Sequence, residues 1–505
     1  MFDGLALLAG GIAHFLTPVS LINIAWATLL GIVVGALPGL TATMGVALLV
    51  TLTYKMAPDQ AILVLMCVYV GAIYGGSRTA ILLAIPGTPA SAATTLDGHP
   101  LALQGKAGMA MGLATTSSSL GTIVGIVFLA MIAPLLAEAA LSFGTYEFFW
   151  LALFGVLISG QLTALDDPLK GYIAGLLGLL VAMVGMETLH AHVRFSFGIS
   201  ALSGGVDLIP AMVGAFGLAE ILAVMKRTVD ARVITSADRV LPRFSDLWRY
   251  RRTTLRSGII GTFVGIIPGV GEDVGAWASY AAARRGSKER HLFGKGSQEG
   301  LIAAETGNSA VIPGAMIPTL TLALPGSAAA AVLIAAMFIH GIRPGPLLMV
   351  ENPGFLYQIV AILLLSTIAI AIFGLSLTRP LLLVLQVPRE RLMAVIYVLC
   401  VVGSFAITQR MFDVYVMLFF GVVGFILREM KYPMAPLVLG IILGDLLDLN
   451  LRRGLLLTQG DPTPFFTRPI SLVMWLVIVF TILLSIPAIN GRFKALFSRK
   501  ADQAG

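Results

Sequence analysis

The sequence predicts an all-α integral membrane protein of about 12 transmembrane segments, laid out as two inverted repeats that each carry a re-entrant hairpin and a broken helix. Three observations lead there. The 505 residues are 57% hydrophobic and only 12% charged, with a mean hydropathy of +0.93, whereas globular chains carry roughly 25% charged residues. Proline–glycine pairs interrupt apolar runs at four places, Pro38-Gly39, Pro86-Gly87, Pro268-Gly269 and Pro325-Gly326. Those four breaks are two pairs, repeated in the same order along the chain.

From the N-terminus, residues 4–20 are apolar but short and interrupted by His14 and Pro18, which suits a helix lying in the membrane interface. The start lacks the basic region of a cleavable signal peptide, so this segment is expected to stay in the mature protein. Residues 21–56 form the first hairpin. Proline removes a helix donor and glycine frees the backbone, so two short helices meet at an unwound tip around Pro38-Gly39. Residues 60–85 make a long helix that enters the break at Pro86-Gly87-Thr88-Pro89. A polar patch from Ser91 to Pro100 follows, in which Asp97-Gly98-His99-Pro100 reads as a turn at the membrane edge. Further spans are expected near 109–137, 146–164, 171–189 and 208–225.

Residues 226–256 carry nine Lys/Arg against three acids, and residues 284–295 carry five against one. Both flanks of the second hairpin, 257–283, therefore belong in the cytoplasm by the positive-inside rule, so the hairpin enters and leaves on one side. Its tip bears Glu272 and Asp273. Gly31, Gly35, Pro38, Gly39 and Gly45 match Gly261, Gly265, Pro268, Gly269 and Gly275 at an offset of 230, and Leu83–Thr88 match Leu322–Ser327 at an offset of 239. Residues 1–78 hold only Lys55 and Arg78 as fixed cations. With so little charge to hold it in the cytoplasm, the first hairpin is expected to enter from the opposite face. Broken helices then meet near mid-membrane, as in secondary transporters.

A second broken helix ends at Pro325-Gly326-Ser327, and spans follow near 329–342, 355–377, 392–408, 412–427, 434–447 and 470–489. The division expected is a first repeat 1–225, a basic cytoplasmic linker 226–256, a second repeat 257–450, and a final helix with a basic cytoplasmic tail 451–505. The net charge of +7 sits in loops, where it orients the chain in a lipid bilayer rather than binding nucleic acid. Cys67 and Cys400 both lie in apolar runs, which argues against a disulfide framework.

Backbone groups freed at a helix break inside a membrane cost several kcal/mol unless they line a cavity or bind something. The candidate substrate-binding residues are accordingly Pro38, Gly39, Thr41 and Thr43 at the first tip, and Pro86, Gly87 and Thr88 at the first break. Pro268, Gly269 and Gly271 at the second tip and Pro325, Gly326 and Ser327 at the second break complete the set. Gly31, Gly35, Gly261 and Gly265 read instead as small residues for close helix packing. Ser77 and Arg78 lie shortly before the first break, and a guanidinium matches a carboxylate with two parallel hydrogen bonds. Asn308 stands before the second break. Glu272, Asp273 and Glu305 are the candidates for holding a coupling ion.

Sharper-sounding signals fail. Gly269-Val270-Gly271 lacks the strand–helix context of a dinucleotide loop, and Gly294-Lys295 is followed by Gly296 where a phosphate loop needs Ser or Thr. His190 and His192 beside Arg194 lack further close ligands for a metal. No nucleophile or metal set supports an enzyme, and no cofactor is expected.

The motifs Gly35-Ala36-Leu37-Pro38-Gly39-Leu40, Ala72-Ile73-Tyr74-Gly75-Gly76-Ser77, Ile85-Pro86-Gly87-Thr88-Pro89 and Asp97-Gly98 run in order through the first half. Phe293-Gly294-Lys295-Gly296-Ser297, Pro318-Thr319-Leu320-Thr321-Leu322 and Leu324-Pro325-Gly326-Ser327 follow in the second. This series resembles the large membrane subunit of the tripartite tricarboxylate transporters, over about residues 20–450. The resemblance implies a permease of the bacterial inner membrane that works with a small transmembrane subunit and a periplasmic solute-binding protein. It also implies an organic carboxylate substrate and an ion gradient as driving force. The chain departs from the family pattern at Ala84, at Glu305-Thr306-Gly307-Asn308-Ser309-Ala310, and at Ala323, where glycine is usual.

Overall fold

The computed structural model describes residues 2–37, 40–164, 167–187, 189, 191–225, 238–377 and 389–485. Pro38 and Gly39, His190, linker residues 226–237 and the basic tail lie outside them. The described residues form an all-α membrane protein. Eight of its helices are long and apolar enough to cross a membrane, and shorter apolar helices such as Ala42–Thr53 and Ala328–Ile339 accompany them. Among the described residues the only sheet is the antiparallel pairing of Gly185–Met186 with Val193–Arg194.

Two local expectations change. The span expected at 171–189 is the shorter helix Pro168–Ala182, because the chain leaves the helix at Met183 and turns at Gly185 (φ 116°) into the strand pair. The turn expected at Asp97–Pro100 is helical, within Ala92–Leu103. Its polar residues satisfy distant partners instead of a local turn.

The chain packs as two compact units. One comprises Met1–Ala140 with Asp207–Met430, the other Leu141–Val206 with Lys431–Gly505. The first unit holds both hairpins and both broken helices. At its centre lie Pro58–Leu83 and Gln298–Leu322, in which every residue from Ala61 to Leu82 and from Glu299 to Leu322 is buried. A helix buried on all sides has no lipid stripe to keep apolar, so it has room for Ser77, Arg78, Glu305 and Asn308 provided each finds a partner.

The duplication is visible contact by contact. The first hairpin is Pro18–Ala36 with Ala42–Thr53, and the second is Arg251–Ile266 with Gly271–Gly286. The first arm of each lies against its own broken helix through glycines that let the backbones touch. A methyl added at Gly31 would sit 2.6 Å from the Val68 carbonyl oxygen, and one at Gly261 would sit 2.2 Å from that of Gly307. Likewise Gly35 meets the Ala72 carbonyl at 1.9 Å and Gly265 meets that of Val311 at 2.5 Å. Gly87 at the first break meets the Gly35 carbonyl at 2.1 Å, and Gly326 at the second meets the Gly265 carbonyl at 2.2 Å. All these partners obey the sequence offsets.

Both broken helices end alike. Ala84 and Ala323 each stand in the left-handed region at φ 55°, with their N–H groups donating to the carbonyls of Thr79 and Pro318. A left-handed alanine costs about 1–2 kcal/mol. The second arm of each hairpin then packs with the helix that follows the other repeat's break: Ala42–Thr53 against Ala328–Ile339, and Gly271–Gly286 against Pro89–Leu103.

In the second unit, Glu147 accepts from the Gly144 N–H (2.8 Å) and the Ser471 hydroxyl (2.7 Å) and pairs with Arg468 (3.0 Å). This joins the helices Thr145–Thr163 and Pro469–Ser485.

Candidate functional site

At the second break, tip and break are stitched by backbone. The Gly269 N–H donates to the Pro325 carbonyl (3.0 Å), and the Gly271 N–H to that of Gly326 (3.2 Å). Gly269 and Gly271 have φ of 70° and 80°, which glycine adopts without strain. Ser327 caps the next helix, accepting from the Ala330 N–H at 3.2 Å. Its hydroxyl shares a 2.7 Å hydrogen bond with the Tyr69 hydroxyl from the other repeat's broken helix, and Tyr69 donates in turn to Glu272. One triad thus ties the second tip and second break to the first broken helix. Asp273 lies next to it on the same helical turn.

At the first break the Gly87 N–H donates to the Gly76 carbonyl (3.3 Å), and Ser91 Oγ accepts from the Thr88 N–H (3.2 Å). Thr41 caps the second arm of the first hairpin through the Met44 N–H (3.2 Å), and Thr43 is buried in its first turn. The Thr88 hydroxyl is buried without a partner, as are both amide atoms of Asn308. Pro38 and Gly39 lie outside the described residues, and Pro86, Pro268 and Pro325 take their expected places at tips and breaks.

Glu305 is fully buried where four segments meet. It accepts from Ser77 Oγ (2.8 Å) on the first broken helix, Ser118 Oγ (2.8 Å) on the helix Ala107–Ala140, and the Thr94 hydroxyl after the first break. Arg78, one residue after Ser77, points elsewhere. Its Nη2 donates to the Tyr74 hydroxyl (2.5 Å) and the Gly374 carbonyl (2.9 Å), while Nε and Nη1 are buried without partners. The structure therefore gathers Ser77 and Glu305 beside the first break, and Glu272 and Ser327 at the second. It does not bring the Arg78 guanidinium to either group.

Sequence reasoning missed Tyr69, Thr94 and Ser118. Ser118 had a signal, the hydroxyl run Thr115-Thr116-Ser117-Ser118-Ser119 in an otherwise apolar helix. Tyr69 had another, since it precedes Asn308 by the repeat offset of 239. Asp97 also proves to be an anchor. Its Oδ1 accepts from the N–H groups of Gly294 (2.8 Å), Gly296 (3.0 Å) and Ser297 (2.8 Å), and its Oδ2 from the Tyr280 hydroxyl (2.9 Å). The glycine loop that fails as a phosphate loop is a nest for this carboxylate.

The model of the tripartite tricarboxylate transporter TctA family matches residues 21–439, a range that contains both breaks, the second hairpin and all of the first but the start of its first arm. The chain belongs to that family. This TctA-family chain is also 34% identical over 501 residues to an uncharacterized 52.8 kDa protein in the TAR-I ttuC' 3' region of Agrobacterium vitis, covering 98% of this chain and 99% of that one. It is 32% identical over 238 residues to an uncharacterized protein in the TAR-II ttuC' 3' region of the same organism, which covers 47% of this chain and 98% of that one. No solved structure matches it. TctA-family membership makes it the large subunit of a transporter rather than an enzyme.

Proposed function

We propose that the chain is the permease of a binding-protein-dependent secondary transporter that imports a tricarboxylate or other organic carboxylate by alternating access. In this reading a periplasmic solute-binding protein delivers the carboxylate and a small transmembrane subunit completes the complex in the bacterial inner membrane. The observation that carries it is the pair of tip-and-break junctions inside one compact unit. In that unit the hydroxyl of Thr88 at the first break and the amide of Asn308, within Gln298–Leu322, are buried without partners, and such groups cost about 1–3 kcal/mol each unless something binds them. Helix N-termini beginning at Ala42 and Ala328 turn their positive ends toward the breaks, which suits an anion.

The two hairpins are re-entrant and enter from opposite faces. Na⁺ or H⁺ supplies the driving force, and Glu305, with three hydroxyls around it, is the strongest of the coupling carboxylates. Glu272 is held by Tyr69, and Asp273 lies beside it. Arg78, with two unpartnered donors, adds positive potential near the first break. The test is uptake of ¹⁴C-labelled citrate, succinate and tartrate into vesicles containing the whole complex, under imposed Na⁺ or H⁺ gradients. Gradient-driven accumulation of unaltered carboxylate is expected. Continuous single-channel current would mean a channel, and a chemically changed substrate would mean an enzyme.

A further inference from the structure

The two repeats differ at one position that their packing otherwise makes equivalent. In the second, Glu272 on the first turn of Gly271–Gly286 places its carboxylate on the Tyr69 hydroxyl, which also bonds Ser327. Applying the repeat offsets to these three residues gives Ala42, Asn308 and Thr88. The offsets hold in three dimensions at every glycine contact described above. Each broken helix also reaches across to the other repeat, Tyr69 to Ser327 and Glu305 to Thr94, in both cases to a residue past the opposite break. The counterpart of the closed triad therefore has a buried amide and a buried hydroxyl but a methyl in place of the carboxylate. Asn308 and Thr88 are 0% and 2% exposed, and neither of the amide atoms nor the Thr88 hydroxyl has a partner.

We infer that Glu272 is a resident carboxylate, and that Asn308 and Thr88 receive one carboxylate group of the substrate in the place that Glu272 takes in the other repeat. The Asn308 amide and Thr88 hydroxyl donate to it, as Tyr69 donates to Glu272. The first turn of Ala42–Thr53 supplies the positive helix end that Gly271–Gly286 supplies to Glu272. A helix end alone would not mark a site. The orphaned amide and hydroxyl, both sealed from solvent, make it one. The arrangement assigns unequal work to the repeats: one junction is permanently closed by its own acid, and the other closes only when a substrate brings one. This rests on the carboxylate reading above and goes further by naming which junction holds the anion.

Ala42→Glu tests it, because it restores the missing acid. A tethered carboxylate at 42 is expected to occupy the Asn308–Thr88 position, and Ala42→Gln controls for size. In vesicles holding the whole complex, uptake of ¹⁴C-citrate and ¹⁴C-succinate should be lower in Ala42→Glu than in Ala42→Gln by about tenfold or more. The purified Ala42→Glu chain should also melt at a higher temperature than Ala42→Gln, and that gain should vanish when Asn308→Ala is added. Equal uptake and equal melting of the two variants would overturn the inference. So would a melting gain that survives Asn308→Ala. If the wild-type complex takes up neither acid nor any other carboxylate, the functional reading falls, while the melting comparison still decides whether position 42 faces Asn308.

Discussion

Tyr69 and Asn308 stand at the same position of the two repeats, yet the Tyr69 hydroxyl bonds both Glu272 and Ser327 whereas both amide atoms of Asn308 are buried without a partner. A duplicated fold begins symmetric, and function shows where the symmetry breaks. Here the Tyr69–Glu272–Ser327 triad ties one junction, while the side-chain polar groups of Asn308 and Thr88, the counterparts of Tyr69 and Ser327, are buried without partners.

Removing a hydroxyl at either junction should separate those roles. Ser327→Ala takes away a helix cap and a Tyr69 partner together, so it should destabilise the purified protein by about 1–3 kcal/mol. Thr88→Val removes a hydroxyl that has no partner to lose. It should leave melting unchanged or raised while weakening carboxylate binding. Equal stability losses in both variants, with binding intact, would make both hydroxyls structural.

The glycines of the hairpin arms should behave in the opposite way. Gly31→Val and Gly261→Val push side chains into the carbonyls of Val68 and Gly307, where the first carbon alone would lie 2.6 and 2.2 Å from oxygen. Backbone on both sides must move, and overpacking of this kind costs about 1–3 kcal/mol or more. Thermal unfolding with carboxylate affinity measured on the surviving fraction checks this. Stable variants that fail to bind would move these glycines into the site.

Ala84 and Ala323 hold a backbone conformation that glycine adopts freely. Ala84→Gly and Ala323→Gly should each stabilise the protein by about 1 kcal/mol. Lower melting temperatures in both would show that the alanine methyl packs well enough to outweigh its strain.

Much of this was legible in the chain. Pro38-Gly39 and Pro268-Gly269, read with their shared glycine spacing, located both hairpins, and Pro86 and Pro325 located both breaks. The direction of Arg78 was not legible. Its helix is buried all round, so which neighbour a side chain meets depends on helices far away in sequence, here the one carrying Gly374. The compact units were hidden for a similar reason, because residues 141–206 form one unit with a segment that begins only at Lys431. Tyr69 looked like any core aromatic until its counterpart Asn308 proved unsatisfied.

Arg78→Lys keeps the charge but loses the guanidinium, whose Nη2 donates to both Tyr74 and Gly374 and whose Nε and Nη1 have no partner. Carboxylate uptake should fall while expression holds. Normal substrate affinity in Arg78→Ala would leave that residue a packing role alone.

The orientation of the two repeats is the claim on which alternating access rests, and side-specific cysteine labelling measures it. In a background lacking Cys67 and Cys400, Ala57→Cys lies just past the first hairpin, while Ser236→Cys and Lys288→Cys flank the second. A membrane-impermeant thiol reagent should reach position 57 only from the periplasm and positions 236 and 288 only from the cytoplasm. Labelling of 57 and 288 from the same side would contradict the inverted arrangement, and with it the meeting of the two hairpin tips from opposite faces.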